Sequence, residues 1–178
     1  MTFFDLVRTR RSTRTFLAHG LDETAIARIL DVAKRAPSAG NLQAYGVVVV
    51  RDPERRRRLS AGALGQAWVA QAPAVLVFVA VPDRSRERYG ARGAELFAVQ
   101  DATIAAAHAQ LAAHALGLGT VWIGAFDDDA VRGAIGAPPS VQPTSMLVLG
   151  HPAEAPVPTE RRVLSELARR EIWGGEGW

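Results

Sequence analysis

Cysteine is absent from the 178 residues, and lysine occurs once, at Lys34. Without cysteine there is no disulfide framework, no thiol nucleophile and no cysteine-ligated metal. No long, uncharged apolar run exists. The alanine-rich stretch from Ala94 to Gly119 is interrupted by Glu95, Asp101, His108, Gln110 and His114, which excludes a membrane span. No serine stands in a G-x-S-x-G turn, and no strand leads into a G-x-G-x-x-G turn. Gly117 and Gly119 precede a strand and read as a helix stop. No pair of carboxylates stands out, and His108 and His114 are six positions apart, off the shared helix face that metal ligands need. No metal site is expected. A chain without an evident catalytic side chain fits an enzyme whose chemistry belongs to a bound cofactor.

Hydrophobic residues make up 48% of the chain, enough for one full core, and residues 1–178 read as a single domain. The formal charge of +3 comes from arginines scattered along the chain. Their only dense run, Arg55 to Arg58, follows Pro53 and reads as the solvated face of a helix, so nucleic acid is not an expected partner. Met1 leads directly into an amphipathic segment with no secretory signal, so the expected location is the cytoplasm.

Helical and strand patterns alternate. Residues 2–9 form a short helix pattern, and Asp22 caps a second helix with Ile26, Ile29, Leu30 and Ala33 at helical spacing. Pro37 ends it. Strands are expected at Tyr45–Val50, Pro73–Val81, Thr120–Phe126 and Ser145–Pro152, mostly as uninterrupted apolar runs. A helix starts at Asp52, and another at Asp127 or Asp128. Residues 82–93 are polar with two glycines and read as a mobile connection. The 94–119 stretch is the central helix, apolar nearly all round. Its alanine face is expected to meet the same helix of a second subunit. Helices interleaved with apolar strands mean a sheet covered by helices, of the α/β or α+β kind.

Two polar segments remain. Arg10, Arg11, Ser12 and Arg14 place several donors within five residues, a set suited to a phosphate. Ser38, Gly40, Asn41 and Gln43 offer amides and hydroxyls on a tight loop. Alone, the first also fits a solvated loop and the second an ordinary helix-to-strand turn. Five motifs in order resemble the nitroreductase family of flavin mononucleotide (FMN) oxidoreductases. RRSTRTF resembles Arg-Arg-Ser-x-Arg-x-Phe, and APSAGNLQAY resembles Ala-Pro-Ser-x-x-Asn-x-Gln-Pro-Trp. ALGLGTVWIGAF resembles Ala-x-Gly-Leu-Gly-x-x-Trp-Ile-Gly, VLGHP the Gly-Tyr-Pro strand end, and ERRVL the late Arg-x-Pro-Leu.

The resemblance implies an α+β fold, with a mixed, mainly antiparallel sheet, helices on both sides and a long central helix at the dimer interface. It also implies a homodimer with two FMN sites at the subunit interface, and NADH or NADPH as electron donor. Arg10, Arg11, Ser12 and Arg14 would hold the FMN phosphate and ribityl chain, together with Arg161. Pro37, Ser38, Ala39, Asn41 and Gln43 would line the flavin from the other subunit. Trp122, Ile123 and Gly124 would pass beside the isoalloxazine ring, and Gln66, before Trp68, is a weaker candidate for a flavin contact. No side chain is assigned as catalytic, since flavin carries the chemistry. Hydride would pass through flavin to a nitroaromatic, a quinone or a similar small acceptor. Two alternatives stay open: a flavin-sequestering protein without turnover, and a specialised relative that fragments flavin, reduces enoyl groups or dehalogenates. Ala44 and Tyr45 stand where the family has Pro-Trp, His151 replaces a tyrosine, and Val163 a proline.

Overall fold

The computed structural model describes all 178 residues. Eight α-helices surround one four-stranded sheet. The helices are α1 (Phe3–Thr9), α2 (Glu23–Ala33), α3 (Pro53–Gly62), α4 (Ala67–Gln71), α5 (Pro82–Arg92), α6 (Ala98–Ala115), α7 (Asp128–Ile135) and α8 (Leu164–Leu167). The strands are β1 (Tyr45–Val50), β2 (Ala74–Ala80), β3 (Gly119–Ile123) and β4 (Gln142–Gly150), in the order β1-β2-β4-β3 and antiparallel throughout.

Local chemistry sets most boundaries. Thr2 and Asp5 form a reciprocal capping box on α1, and Asp22 accepts the Thr24 N–H at the start of α2. Asp52 caps α3 with Pro53 in its first turn, and Asp127 caps α7, which stops at Gly136 in the left-handed conformation. All seven residues of β2 are buried, because both sheet faces are covered. Its side chains alternate: Leu76 and Phe78 pack with Ile26 and Ile29 of α2 and the alanines of α6, whereas Val75, Val77 and Val79 pack with Leu59 of α3, Val69 of α4 and Val131 of α7.

Two expectations are corrected. The alanine face of α6 does not wait for a second subunit. Ala98, Ala102, Ala105, Ala106, Ala109 and Ala113 are fully buried within the chain, where their small side chains let α6 lie close to its own sheet. The part of α6 left for a partner is the half-buried stripe of Ile104, His108, Leu111 and Ala112. Residues 82–93 are not a loose connection but α5, opened by Pro82 and running through a turn of π-helix, Gly93–Phe97, into α6. Gly93 fits because a Cβ there would lie 2.5 Å from the Ser85 carbonyl.

Arg55, Arg57 and Arg58 of the arginine run are exposed, as expected of a solvated face, whereas Arg56 is half-buried. Arg55 donates to the Ala134 carbonyl at 2.8 Å and Arg58 to that of Gly133, both on α7. Arg56 reaches the carbonyls of Ala70, Ala72 and Arg51 from a half-buried position. Arg57 is exposed and pairs with Glu54 of its own helix. Arg56→Ala is therefore expected to destabilise the fold by about 2 kcal/mol, since it strands carbonyls near the end of α4, while Arg57→Ala stays within about 0.5 kcal/mol. Urea unfolding of the two variants checks this; equal midpoints would contradict it.

Candidate functional site: an arginine cleft and a clamped loop

The segment after α1 is strapped across the ends of β3 and β4. Thr13 N–H donates to the Thr120 carbonyl at 2.8 Å, with Ser12 paired in parallel to Thr120. Gly119 lies so close to Thr13 that a Cβ would meet its side chain at 2.7 Å. Further on, Leu17 N–H donates to the His151 carbonyl and Ala153 N–H to that of Thr15. This strap brings the chain's late segment over Arg10–Arg14.

Between them lies a cleft of about 420 Å³ lined by Arg10, Arg11, Ser12, Arg14, Glu154 and Arg161, among others. None of its four arginines is in a salt bridge, although eight salt bridges exist elsewhere in the chain. Glu154 instead accepts a 2.7 Å bond from the Thr15 hydroxyl. Arg10 is held below the usual arginine pKa, first by burial and then by the charges of Arg161 and Arg11. Four cations from two distant segments thus share one cleft with Glu154 and none of them is in a salt bridge, the kind of donor set that suits an anion. Arg11 does double duty. It lines the cleft, and its Nη1 donates to the carbonyls of Arg8 and Arg10 at 2.6 and 2.9 Å, closing the end of α1.

Arg14 extends from the cleft toward the 66–68 and 122–125 segments, with its guanidinium 5.7 Å from the Trp68 ring. The Trp68 indole N–H is buried with no partner. Gln66 donates to the Ala125 carbonyl at 3.4 Å, next to exposed Gly124 and half-buried Trp122. Ile123 differs from its neighbours: its side chain is buried in the core, so only its main chain is free to front a ligand.

The second loop lies elsewhere. Pro37, Ser38, Ala39, Asn41 and Gln43 are not among the residues lining the arginine cleft of their own chain. Asn41 and Gln43 hold left-handed backbone angles, with φ of 57° and 48°. Two side chains overlooked in the sequence hold this loop. Asp101 of α6, only 2% exposed, accepts the Ala39 N–H at 2.9 Å and the Ala44 N–H at 3.3 Å. Arg84 of α5 donates to the carbonyls of Gln43 and Tyr45, each at 3.1 Å. An acidic residue amid alanines was the available signal for Asp101; nothing in the polar 82–93 stretch marked Arg84.

His114 ties α6 to the end of α1. The Thr9 hydroxyl donates to the Asp5 carbonyl at 2.7 Å and lies 3.0 Å from His114 Nε2. Burial, then Arg10 and Arg11, hold the His114 pKa below its ordinary 6.5. The unfolded chain thus binds this proton first as pH falls. Stability is fully present above about pH 6.5 and declines as pH drops below it, down to the folded-state pKa. Thermal melts from about pH 8 to about pH 5 should show that decline, reduced in His114→Gln. An unchanged profile in the variant would contradict it.

The fold and the cleft define an α+β protein with an arginine-rich cleft beside the ends of β3 and β4. Residues 7–81 and 60–151 match the sequence profile described as "Nitroreductase family". The chain belongs to the nitroreductase family. It is 34% identical to a Thermus thermophilus protein named "NADH dehydrogenase", over 89% of this chain and 90% of that one. It is 35% identical to the Bacillus subtilis "FMN reductase [NAD(P)H]", over 81% of this chain and 63% of the relative. Among solved structures, the NADPH:FMN oxidoreductase of Vibrio harveyi complexed with NAD+ superposes with a TM-score of 0.87 at 26% identity, covering 96% of this chain and 77% of that one.

Proposed function

We propose that this chain is an NAD(P)H-dependent FMN oxidoreductase acting as a homodimer, with an FMN site shared between the two chains. One observation carries the reading: Arg10, Arg14 and Arg161, together with Ser12, converge on one cleft, and none of the three arginines is in a salt bridge. The donor set fits a phosphate monoester, whose oxygens accept from guanidinium forks and a hydroxyl. The names of the Bacillus and Vibrio relatives support FMN and a nicotinamide donor. Bound FMN would supply the redox chemistry, taking a hydride from NADH or NADPH and passing reducing equivalents to an acceptor.

The protein's part is binding and orientation. Arg10, Arg11, Ser12, Arg14 and Arg161 anchor the phosphate end. Gln66, Trp122, Gly124 and the Ile123 main chain border the ring. Ser38, Asn41 and Gln43, with Pro37 and Ala39 as their frame, come from the second chain in this reading; they do not line the arginine cleft of their own chain. Nitroaromatics and quinones are the acceptors in our reading, in a ping-pong sequence where donor and acceptor use the same flavin face in turn. No helix of the chain is long and apolar enough to cross a membrane. We place the enzyme in the cytoplasm, where NAD(P)H is supplied.

The test is an anaerobic titration of the FMN-loaded protein. NADH or NADPH is expected to bleach the flavin's visible absorbance, and a quinone or nitroaromatic to restore it. Bound flavin that neither donor bleaches would overturn the enzyme reading in favour of flavin sequestration.

A further inference from the structure

The 39–44 loop is held from two sides by opposite charges. On one side the buried Asp101 carboxylate takes N–H groups at both ends of the loop, Ala39 at 2.9 Å and Ala44 at 3.3 Å. On the other side Arg84 Nη1 takes the Gln43 and Tyr45 carbonyls. A third tie is internal: Gln43 N–H donates to the Ser38 hydroxyl at 3.0 Å. The loop needs such restraint. Asn41 and Gln43 sit in the left-handed region, which non-glycine residues occupy only when the surroundings enforce it. Neither clamping residue is explained by ion pairing, since neither has a salt-bridge partner. A buried carboxylate without a counter-ion is retained only where the hydrogen bonds it accepts compensate its desolvation.

We propose that Asp101 and Arg84 are positioning residues for the cofactor: by clamping the donors and acceptors of the 39–44 loop from α6 and α5, they fix the conformation in which Asn41 and Gln43 meet FMN. The proposal rests on the reading of this loop as a flavin contact. It gives α5 a role that its exposed, polar surface does not announce. A displacement of this helix changes flavin affinity through the loop carbonyls it holds, those of Gln43 and Tyr45 by Arg84 and that of Gly40 by Arg88 at 3.5 Å.

The experiment uses the full-length protein and the variants Asp101→Asn, Arg84→Ala and Arg84→Lys. FMN affinity is read by fluorescence titration, and amide hydrogen exchange is followed residue by residue in the FMN-free protein. Asp101→Asn keeps the side chain's shape but presents an NH₂ to one of two buried N–H groups, so FMN affinity should fall about ten- to a hundredfold. Exchange at Ala39 and Ala44 should rise while the β2 and β4 amides stay protected. Exposed Arg84 can be removed with little risk to folding. Arg84→Ala should weaken FMN about three- to tenfold, and Arg84→Lys, which keeps a charged donor, should restore most of it. Unchanged FMN affinity in both Asp101→Asn and Arg84→Ala, beside a wild type that binds FMN, overturns the clamp and leaves the flavin reading standing. So does a rise in exchange spread evenly over sheet and loop, which marks general destabilisation. A wild type that binds no FMN overturns both.

Discussion

Replacing Arg10 and Arg161 together by alanine is expected to raise the FMN dissociation constant by about a thousandfold. Each charge-assisted contact to a phosphate contributes about 1.5–3 kcal/mol, and every 1.4 kcal/mol is tenfold. Arg14→Ala alone should cost about ten- to a hundredfold on the same basis. Arg57→Ala is the proper control, since Arg57 is solvated and paired with Glu54, whereas Arg56 is tied into the fold. The FMN-free protein should respond in the opposite sense. Arg10 is disfavoured by its own burial and by Arg161 and Arg11, so removing two of these cations relieves repulsion. The double variant should melt no lower than wild type without FMN and lose most of the wild type's FMN-induced gain in melting temperature. Binding losses matched by Arg57→Ala, or an FMN-free form that melts well below wild type, would contradict the assignment.

Phe4→Asp is expected to abolish assembly while leaving the chain folded. Phe4 is 82% exposed and Phe3 65%, beside Val7 on the same short helix. Next to them, a cavity of about 360 Å³ is lined by Phe3, Leu6, Val32, His108, Leu111 and Ala112, among others. An apolar surface of this extent on α1, α2 and α6 is what a second copy would cover. A carboxylate placed there costs several kcal/mol once the interface closes over it, and little in the isolated chain. Because the 39–44 loop does not line the arginine cleft of its own chain, FMN affinity should fall with the dimer. Light scattering and FMN titration at matched concentration check both. A variant that stays dimeric with unaltered FMN affinity would rule out this face. Ala109→Arg is no substitute, because Ala109 is buried against the chain's own sheet.

Much of this architecture was legible in residue order. Periodicity and caps marked α2, α3, α7 and the four strands, because those signals are local: Asp22, Asp52 and Asp127 each bond an N–H two or three residues away. The Arg10–Arg14 cluster stood out through composition alone. Its junction with Arg161 did not, since only the strap across β3 and β4 and the late segment after β4 bring the two ends together; the family resemblance supplied it. α5 was hidden because a helix polar nearly all round carries no apolar stripe to read. The alanines of α6 announced close packing but not its partner, and they pack on the chain's own sheet. Asp101 was legible only as a charge that breaks an apolar run. Its function as an acceptor for Ala39 and Ala44 lies in long-range hydrogen bonds that no sequence window contains.

The central claim is that two chains share each FMN, and sedimentation followed at the flavin's own visible absorbance tests it most directly. The account predicts that the flavin moves with a species of twice the 19.1 kDa chain mass, 38.2 kDa, at one FMN per chain. Flavin moving with a 19.1 kDa monomer, held by the ligands of a single chain, would contradict it.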